Sequence, residues 1–298
     1  MKKHAFLIIA NRNFSQLKSL IETLDDVRND IYVLIDETSK EKRVVMHTVN
    51  ARLTILPEVP IYWGDYSLIN AELLLFTEAA KNHYEYYHLL SGLDLPLASQ
   101  NEIHDFFDNN PHKQFICYSE MVDQRALRLR LRRHLFTKYY RYSPGVRGNI
   151  LRIYRHFEQL YLKLTDVFVS KSKIKFGSNW VSLSDEFVQK LVQLDNQVDI
   201  KKKFFGGYLV DELLIPYELE KLGYENTVYY NGLTHDLESE FQGNARFINW
   251  WEGSPYTWKS KDFGRLIDAK KNGHLFSRKF DANIDLNIIN KVISHLNR

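Results

Sequence analysis

His4-Ala-Phe-Leu-Ile-Ile-Ala10 is an unbroken apolar run that closes on the polar residues Asn11-Arg12. A short run of this kind suits a buried strand. Phe14, Leu17, Leu20, Ile21 and Leu24 follow at helical spacing, which predicts a helix over Phe14–Leu24. Ile31–Ile35 is a second β-rich run, closed by Asp36. Val44–Val49 reads as a helix and Leu53–Leu56 as a short strand. Leu68–Ala80 has the pattern of an amphipathic helix, placed just after Trp63-Gly-Asp65. Tyr86–Leu90 is a further strand, running into Ser91-Gly-Leu-Asp-Leu-Pro96. Strand, helix and strand at these intervals predict an α/β fold with a mainly parallel central sheet flanked by helices. Ligands of such sheets sit beyond the carboxyl ends of the strands, so Asn11-Arg12, Asp36-Glu37 and Asp94 are the first places to look for a site.

Farther along, Trp180–Leu183 reads as strand, Asp185–Leu194 as helix, and Gly206-Gly207 leads into a helix from Asp211 to about Leu222. Thr227–Tyr230 and Arg246–Trp250 have strand character, and helices are expected near Asp262–Lys270 and Leu286–Leu296. No repeat, low-complexity stretch or linker interrupts the 298 residues, which reads as one domain. Its nucleotide-binding half would be 1–120 and its acceptor-binding and catalytic half 121–298. Hydrophobic residues at 44% and charged residues at 26% are ordinary for a folded protein, and a net charge of +3 does not argue for a nucleic-acid partner. Aromatic residues reach 14%, which fits either a ring-stacking binding surface or a Phe-rich core. Cys117 is the only cysteine, so no intrachain disulfide can form and a structural zinc site is not expected. The apolar run Phe6–Ala10 is too short for a signal peptide's core, and no stretch reaches the roughly 18 apolar residues of a membrane span. These features lead to the expectation of a cytoplasmic protein, at most peripheral on the inner face of the membrane.

Several segments together resemble the Core-2/I-branching β-1,6-N-acetylglucosaminyltransferases, glycosyltransferase family 14, which also contains peptide-O-xylosyltransferases. They are Ala5–Asn11, Val33–Glu37, Ile61–Ser67, His88–Leu97, Gly177–Leu183, Val210–Leu214, Asn244–Trp250 and His274–Asp281, in the family's order and over nearly the whole chain. Ser-Gly-x-Asp-x-Pro at 91–96 and Leu-Phe-x-x-Lys-Phe-Asp at 275–281 are the most telling. The resemblance implies a GT-A-like nucleotide-binding sandwich and a bacterial-type member. Its activity would be transfer of a sugar, N-acetylglucosamine above all, from a UDP-sugar to a glycan hydroxyl in surface polysaccharide synthesis. UDP-xylose or another UDP-sugar remains open as donor, as does a non-catalytic glycan-binding assembly role.

Displacing a nucleoside diphosphate with inversion needs a base for the attacking hydroxyl, in-line placement of the substrates, and charge stabilisation on the leaving group. No two aspartates here are separated by one residue, so the metal-binding Asp-x-Asp triplet of many GT-A enzymes is missing. The resembled enzymes work without metal, and neither a metal nor another cofactor is expected. The resemblance makes Glu212 the catalytic base; pattern alone favours reading Asp211-Glu212 as the acidic start of a helix. Lys279 matches the family lysine on the diphosphate, whereas no arginine aligns with the one the family uses upstream. Lys259 is the substitute there, or Tyr256 and Thr257 bind the phosphates as neutral donors. Asp36 matches the family aspartate near uridine and ribose, against the alternative of a turn-forming Asp. Ala10, Asn11 and Arg12 stand where the family's first strand meets the base. Gly64 either lets the backbone approach the nucleotide or makes a turn, and Asp94 holds the donor sugar or organises its loop. Asp236, Trp250, Trp251 and Glu252 are the acceptor-site residues, although core tryptophans are an equal reading.

Between Arg125 and His156 there is no Asp or Glu but ten Arg and Lys. Arg125, Arg128, Arg130, Arg132, Arg133, Lys138 and Arg141, with Leu, Phe and Tyr interleaved, suit contact with a membrane surface or with the pyrophosphate of a lipid-linked acceptor. A solvated helix face is the alternative.

Overall fold

The computed structural model describes residues 3–120, 123–134, 146–165 and 173–296. Its centre is a five-stranded sheet of β1 (His4–Ala10), β2 (Asn29–Ile35), β3 (Arg52–Ile55), β4 (Tyr86–Ser91) and β7 (Ser182–Ser184), in the order β3-β2-β1-β4-β7. The first four strands are parallel, and β7 runs antiparallel to β4 along the edge. β1 lies between β2 and β4 and is buried on both faces, which is why it is apolar from Ala5 to Ala10; His4 at its start is buried against His88. Alternation divides them: Ala5, Leu7 and Ile9 enter one core and Phe6, Ile8 and Ala10 the other. The first core is covered by α2 (Tyr66–Ala80), α6 (Asp185–Leu191) and α8 (Asp211–Lys221). The second is covered by α1 (Phe14–Thr23), α3 (Gln100–Asp108), α9 (Phe263–Lys271) and α10 (Leu286–Leu296). The mainly parallel sheet flanked by helices is thus present.

A second sheet, in the order β5-β10-β9, comprises β5 (Asp94–Pro96), β9 (Arg246–Ile248) and β10 (Phe276–Arg278). A ribbon pairs β6 (Tyr118–Ser119) with β8 (Leu233–Thr234). Arg246 joins the two main sheets. It is 1% exposed, and its guanidinium donates to the carbonyls of Asn244 (2.7 Å), Val181 (2.7 Å) and Leu89 (3.3 Å) and to Ser182 Oγ (3.1 Å). Burial depresses its pKa to about 9, so the carbonyl cage that holds the cation has to offset a real desolvation cost.

Several boundaries depart from the sequence reading. Val44–Val49 is irregular, not helical: Val45 and Val49 are exposed, and the amides of Val49, Asn50 and Ala51 bind the Asp25 carboxylate. Val44 and Met46 pack against the second core from this irregular stretch, and the end of the segment is fixed by its amides on Asp25. Thr227–Tyr230 is a 3-10 turn at Glu225–Thr227 followed by a single bridge from Val228 to Gln114. The helix from Asp185 stops at Leu191, and α7 (Leu194–Phe204) begins after a break at Val192-Gln193. The strand at 180 starts only at Ser182, and the strand at 246 ends at Ile248. α3, α4 (Gln124–Arg130), α5 (Val146–Leu164), α7 and β5 were not anticipated.

Arg246→Ala is expected to cost about 3 kcal/mol or more in urea unfolding, because it leaves a cavity and removes the hydrogen bonds that join the two sheets in a dry interior. A loss under about 0.5 kcal/mol would show that the cage does not hold the sheets together.

Candidate functional site

The carboxyl ends of β1, β4 and β10 converge. Gly92 N donates to Ile9 O (2.9 Å) and Phe280 N to Leu93 O (2.9 Å), drawing the β4 and β10 loops over the end of β1. Arg278 closes the corner: its Nη1 donates to Ser91 Oγ (2.6 Å) and Asp94 Oδ1 (3.1 Å), and its guanidinium carbon lies 4.3 Å from the Trp180 ring centroid. Asp94 is 1% exposed and spends its carboxylate on Ser91 N, Ser91 Oγ and Arg278. Its geometry is that of a loop organiser, and it reaches the open site only through Arg278. Beside Arg278, half-buried Lys279 has its pKa lowered by burial and by the charges of Arg12 and Arg278, with Asp281 opposing. Arg12 pairs loosely with Asp281 (3.4 Å), which also accepts from Asn13 Nδ2 (2.8 Å). Arg12, Arg278 and Lys279 thus form a cationic corner in which burial and the neighbouring cations disfavour the Lys279 ammonium.

Ala10 is buried and Asn11 exposed beside this corner. Asp36, 5% exposed, accepts from Thr38 N (2.9 Å), Thr38 Oγ1 (3.0 Å) and Ile61 N (3.0 Å). Three of its roughly four lone-pair sites are therefore used in tying the loop after β2 to Ile61. Gly64 has φ +75°, and a Cβ there would stand 2.8 Å from the Tyr208 ring. The close approach this glycine permits is to Tyr208, and its carbonyl accepts from Leu209 N (2.8 Å). The Ile61–Asp65 loop is thereby fastened to the segment that enters α8.

α8 begins with Asp211 and Glu212. Glu212 is half-buried and accepts from Arg130 Nη1 at 2.7 Å. Its pKa is raised, burial outweighing the pull of Arg130. Asp211 is pushed up to about 7 by burial and by Glu212, and one of its oxygens has no hydrogen-bond partner. Glu72, 1% exposed on α2, is raised well above the usual range by burial and by Asp211, and accepts from Asn179 Nδ2 (2.9 Å). One strap links this acidic pole to the cationic corner. Gly177 N donates to Glu212 O (3.1 Å), and Trp180, three residues on, lies under Arg278. The strap spans at most about 10 Å of chain.

The sequence profile of the Core-2/I-branching enzyme family matches residues 4–266, a stretch that contains the ends of β1 and β4, the strap and Glu212 and stops short of β10 and Lys279. The chain belongs to the Core-2/I-branching enzyme family. It is a glycosyltransferase, and so takes a nucleotide-sugar donor and a glycan acceptor. Among solved structures it is similar to apo mouse xyloside xylosyltransferase 1, at 12% identity over 93% of this chain and 97% of that one, with a TM-score of 0.39. No curated protein sequence matches it.

In this branching-family enzyme the remaining sequence-predicted residues lie on two loops. Lys259 is exposed, and its backbone N donates to Asp262 (3.0 Å); the same loop reaches the corner through Trp258, whose N and Nε1 donate to the carbonyls of Lys279 (2.9 Å) and Arg278 (3.0 Å). The hydroxyl of Tyr256 donates to Asp262 (3.0 Å). Glu252 is held by Asn249 Nδ2 (2.6 Å) and Arg265 (2.8 Å), and Trp251 packs on Phe247 with Arg265 over its ring. Both therefore serve the architecture of the loop after β9, while Trp250 is exposed. Asp236 is half-buried with its pKa raised by burial and Glu240, on the loop that Arg265 ties to Glu252 through Glu238 (2.5 Å). Arg265 thus gathers the acceptor-side candidates onto one support.

Sequence reasoning missed Arg130, Trp180, Arg265 and the closing role of Arg278. Arg130 was hidden in the basic run, where its neighbours suggested a surface. Arg128, Arg132, Lys173, Lys175, Lys203 and Lys221 line a groove of about 810 Å³ behind α8. Lys138 and Arg141 lie outside the described residues. Among the described residues, no helix is long and apolar enough to cross a membrane.

Because the folded protein holds the Glu72 proton more tightly than the unfolded chain does, stability falls as pH rises from the ordinary carboxylate range past neutrality. Glu72→Gln keeps an oxygen for Asn179 and removes that titration. Its melting temperature should match wild type near pH 4 and exceed it by about 2–4 °C near pH 8. An equal difference at both pH values would mean that Glu72 is ionised in the folded state.

Proposed function

We propose that this enzyme moves N-acetylglucosamine from its UDP donor to a glycan hydroxyl with inversion and without a metal ion. The observation that carries this reading is the strap Gly177–Trp180, with a half-buried carboxylate of raised pKa at one end and a cationic corner at the other. In the reaction the acceptor oxygen bonds to the anomeric carbon while the bond to the diphosphate breaks. The proton passes to Glu212 and the electron pair departs with UDP. A raised pKa makes Glu212 a better base near neutral pH, provided it is ionised. Arg130 favours that ionised form and orients it. Asp211, whose pKa lies near 7, takes up a proton in the same range and so lessens the repulsion against ionised Glu212.

The leaving diphosphate is stabilised by Lys279, with Arg12 beside it and Arg278 holding the loop. Its charge relieves the mutual repulsion of those cations, an effect that grows as charge develops on the leaving oxygen. Uridine and ribose lie across the ends of β1 and β2, near Asn11 and the last free lone pair of Asp36. Lys259 supplies the second cation that the family draws from an arginine. The acceptor rests against Trp250 and Asp236. We further propose a lipid-linked acceptor of a bacterial surface polysaccharide, met on the cytoplasmic face of the membrane, with its pyrophosphate in the basic groove behind α8. One catalytic unit, with donor-binding residues mainly in 1–120 and acceptor-binding residues in 121–298, suits this division of labour.

UDP release measured over a panel of UDP-sugars tests the reading. Wild type should prefer UDP-N-acetylglucosamine to UDP-xylose, and EDTA should leave the rate unchanged. Glu212→Gln should lower kcat by about 10²–10⁴-fold with little change in donor affinity. Equal UDP release by wild type and Glu212→Gln from every donor would reject Glu212 as the base, and full loss with EDTA would reject metal independence.

A pH profile gives a second check. Arg130→Gln removes a positive charge from Glu212, so the acidic limb of kcat should move to higher pH. An unmoved limb, or one shifted to lower pH, would show that Glu212 is not the titrating group.

A further inference from the structure

α5 displays an apolar stripe that the transferase reading does not use. Ile150, Ile153, Phe157, Leu160, Tyr161 and Leu164 are each 49–67% exposed. Their spacing keeps them on one side of a 19-residue helix about 28 Å long. Buried Leu162 and Glu158 turn the other way, into the protein. Arg152, His156 and Lys163 follow one edge of the stripe, and together with Ile153, Phe157 and Leu160 they line a groove of about 690 Å³ with apolar walls and a basic rim. The helix also carries Arg147 and Arg155, and its single acid, Glu158, is the buried one.

The C-terminal end of the helix is fastened to the protein. Arg125 Nη2 donates to Lys163 O (2.9 Å) and Arg132 Nη2 to Thr165 Oγ1 (3.1 Å). A fixed helix with a continuous apolar face is a larger exposed patch than a monomer usually tolerates. Its charge selects the occupant. A second copy packed on the stripe would bring two basic edges together without an exposed acid from the helix to offset them. An anionic surface meets the same edge favourably, and long Arg and Lys side chains can lie along the apolar face while their charges reach phosphate.

We propose that α5 is an in-plane membrane helix that seats its stripe at the acyl boundary of an anionic lipid bilayer, with Arg152 and Lys163 at the headgroup phosphates. This contact is distinct from the Arg125–Arg141 contact expected from sequence, and it is measured without turnover, so it stands or falls apart from the transferase reading.

The experiment is co-sedimentation of the full chain with phosphatidylcholine vesicles, with and without phosphatidylglycerol. Three proteins are compared: wild type, Phe157→Ser/Leu160→Ser, and a variant with Arg125, Arg128, Arg132 and Arg133 changed to Gln. Both altered side chains of the stripe variant are exposed, and an unchanged melting temperature verifies its fold. Wild type should pellet with the anionic vesicles only, and the stripe variant should lose about tenfold or more in partitioning. Stripe-variant binding equal to wild type, or no wild-type binding to anionic vesicles, overturns the proposal. So does loss of binding in the arginine variant alone. A wild-type dimer in light scattering that the stripe substitutions dissociate, without vesicle binding, would assign the face to a second copy instead.

Discussion

A cation buried without a carboxylate partner is costly, and the fold turns on one. Arg246 places its guanidinium among the carbonyls of Leu89, Val181 and Asn244 and the hydroxyl of Ser182, which belong to the edge of the main sheet and to the turn before β9. The donated bonds compensate the cation for lost water, although the Val181 carbonyl also accepts from Leu89 N and Ser182 Oγ also bonds His88. The consequence is geometric. β9 and β10 are parallel neighbours, so fixing Arg246 also fixes Arg278 against the ends of β1 and β4. The cations around Lys279 are therefore positioned by a residue that never meets solvent.

The acidic pole is built differently. Glu72, Asp211 and Glu212 crowd together with Arg130 as the one cation in direct contact with Glu212 among the described residues. Crowding and burial keep some of these carboxyls protonated, a tuning that suits a base working near neutral pH. Between the poles runs the Gly177–Trp180 strap, bonded to the main-chain carbonyl of Glu212 at one end and lying under Arg278 at the other. Each charge has a partner of its own, Arg130 for Glu212 and Asp94 for Arg278.

The parallel sheet was legible because buried strands in such sheets are mostly apolar runs, as His4–Ala10 and Tyr86–Leu90 are apart from His4 and His88. Helices with a strong stripe, such as Phe14–Thr23, were equally readable. Val44–Val49 misled because Val45 and Val49 look core-like yet stay exposed, and the end of the segment is fixed by Asp25, a residue far from it in sequence. The family motifs picked out Glu212 at the start of α8, Asp94 in β5 and Lys279 just after β10. Spacing could not show that Arg278 would take up Asp94, or that Arg265 would hold Glu252, because both outcomes depend on side chains more than ten residues away in the chain. Arg130 is the clearest case: among so many basic neighbours, nothing local distinguishes the one that turns inward.

The central claim is that Glu212 and Lys279 act on opposite sides of one anomeric carbon. A crystal structure with UDP and an acceptor bound tests it most directly. The account predicts the diphosphate against Lys279 and the acceptor hydroxyl about 3 Å from the Glu212 carboxylate. A diphosphate bound away from Lys279, or an acceptor hydroxyl out of reach of Glu212, would contradict it.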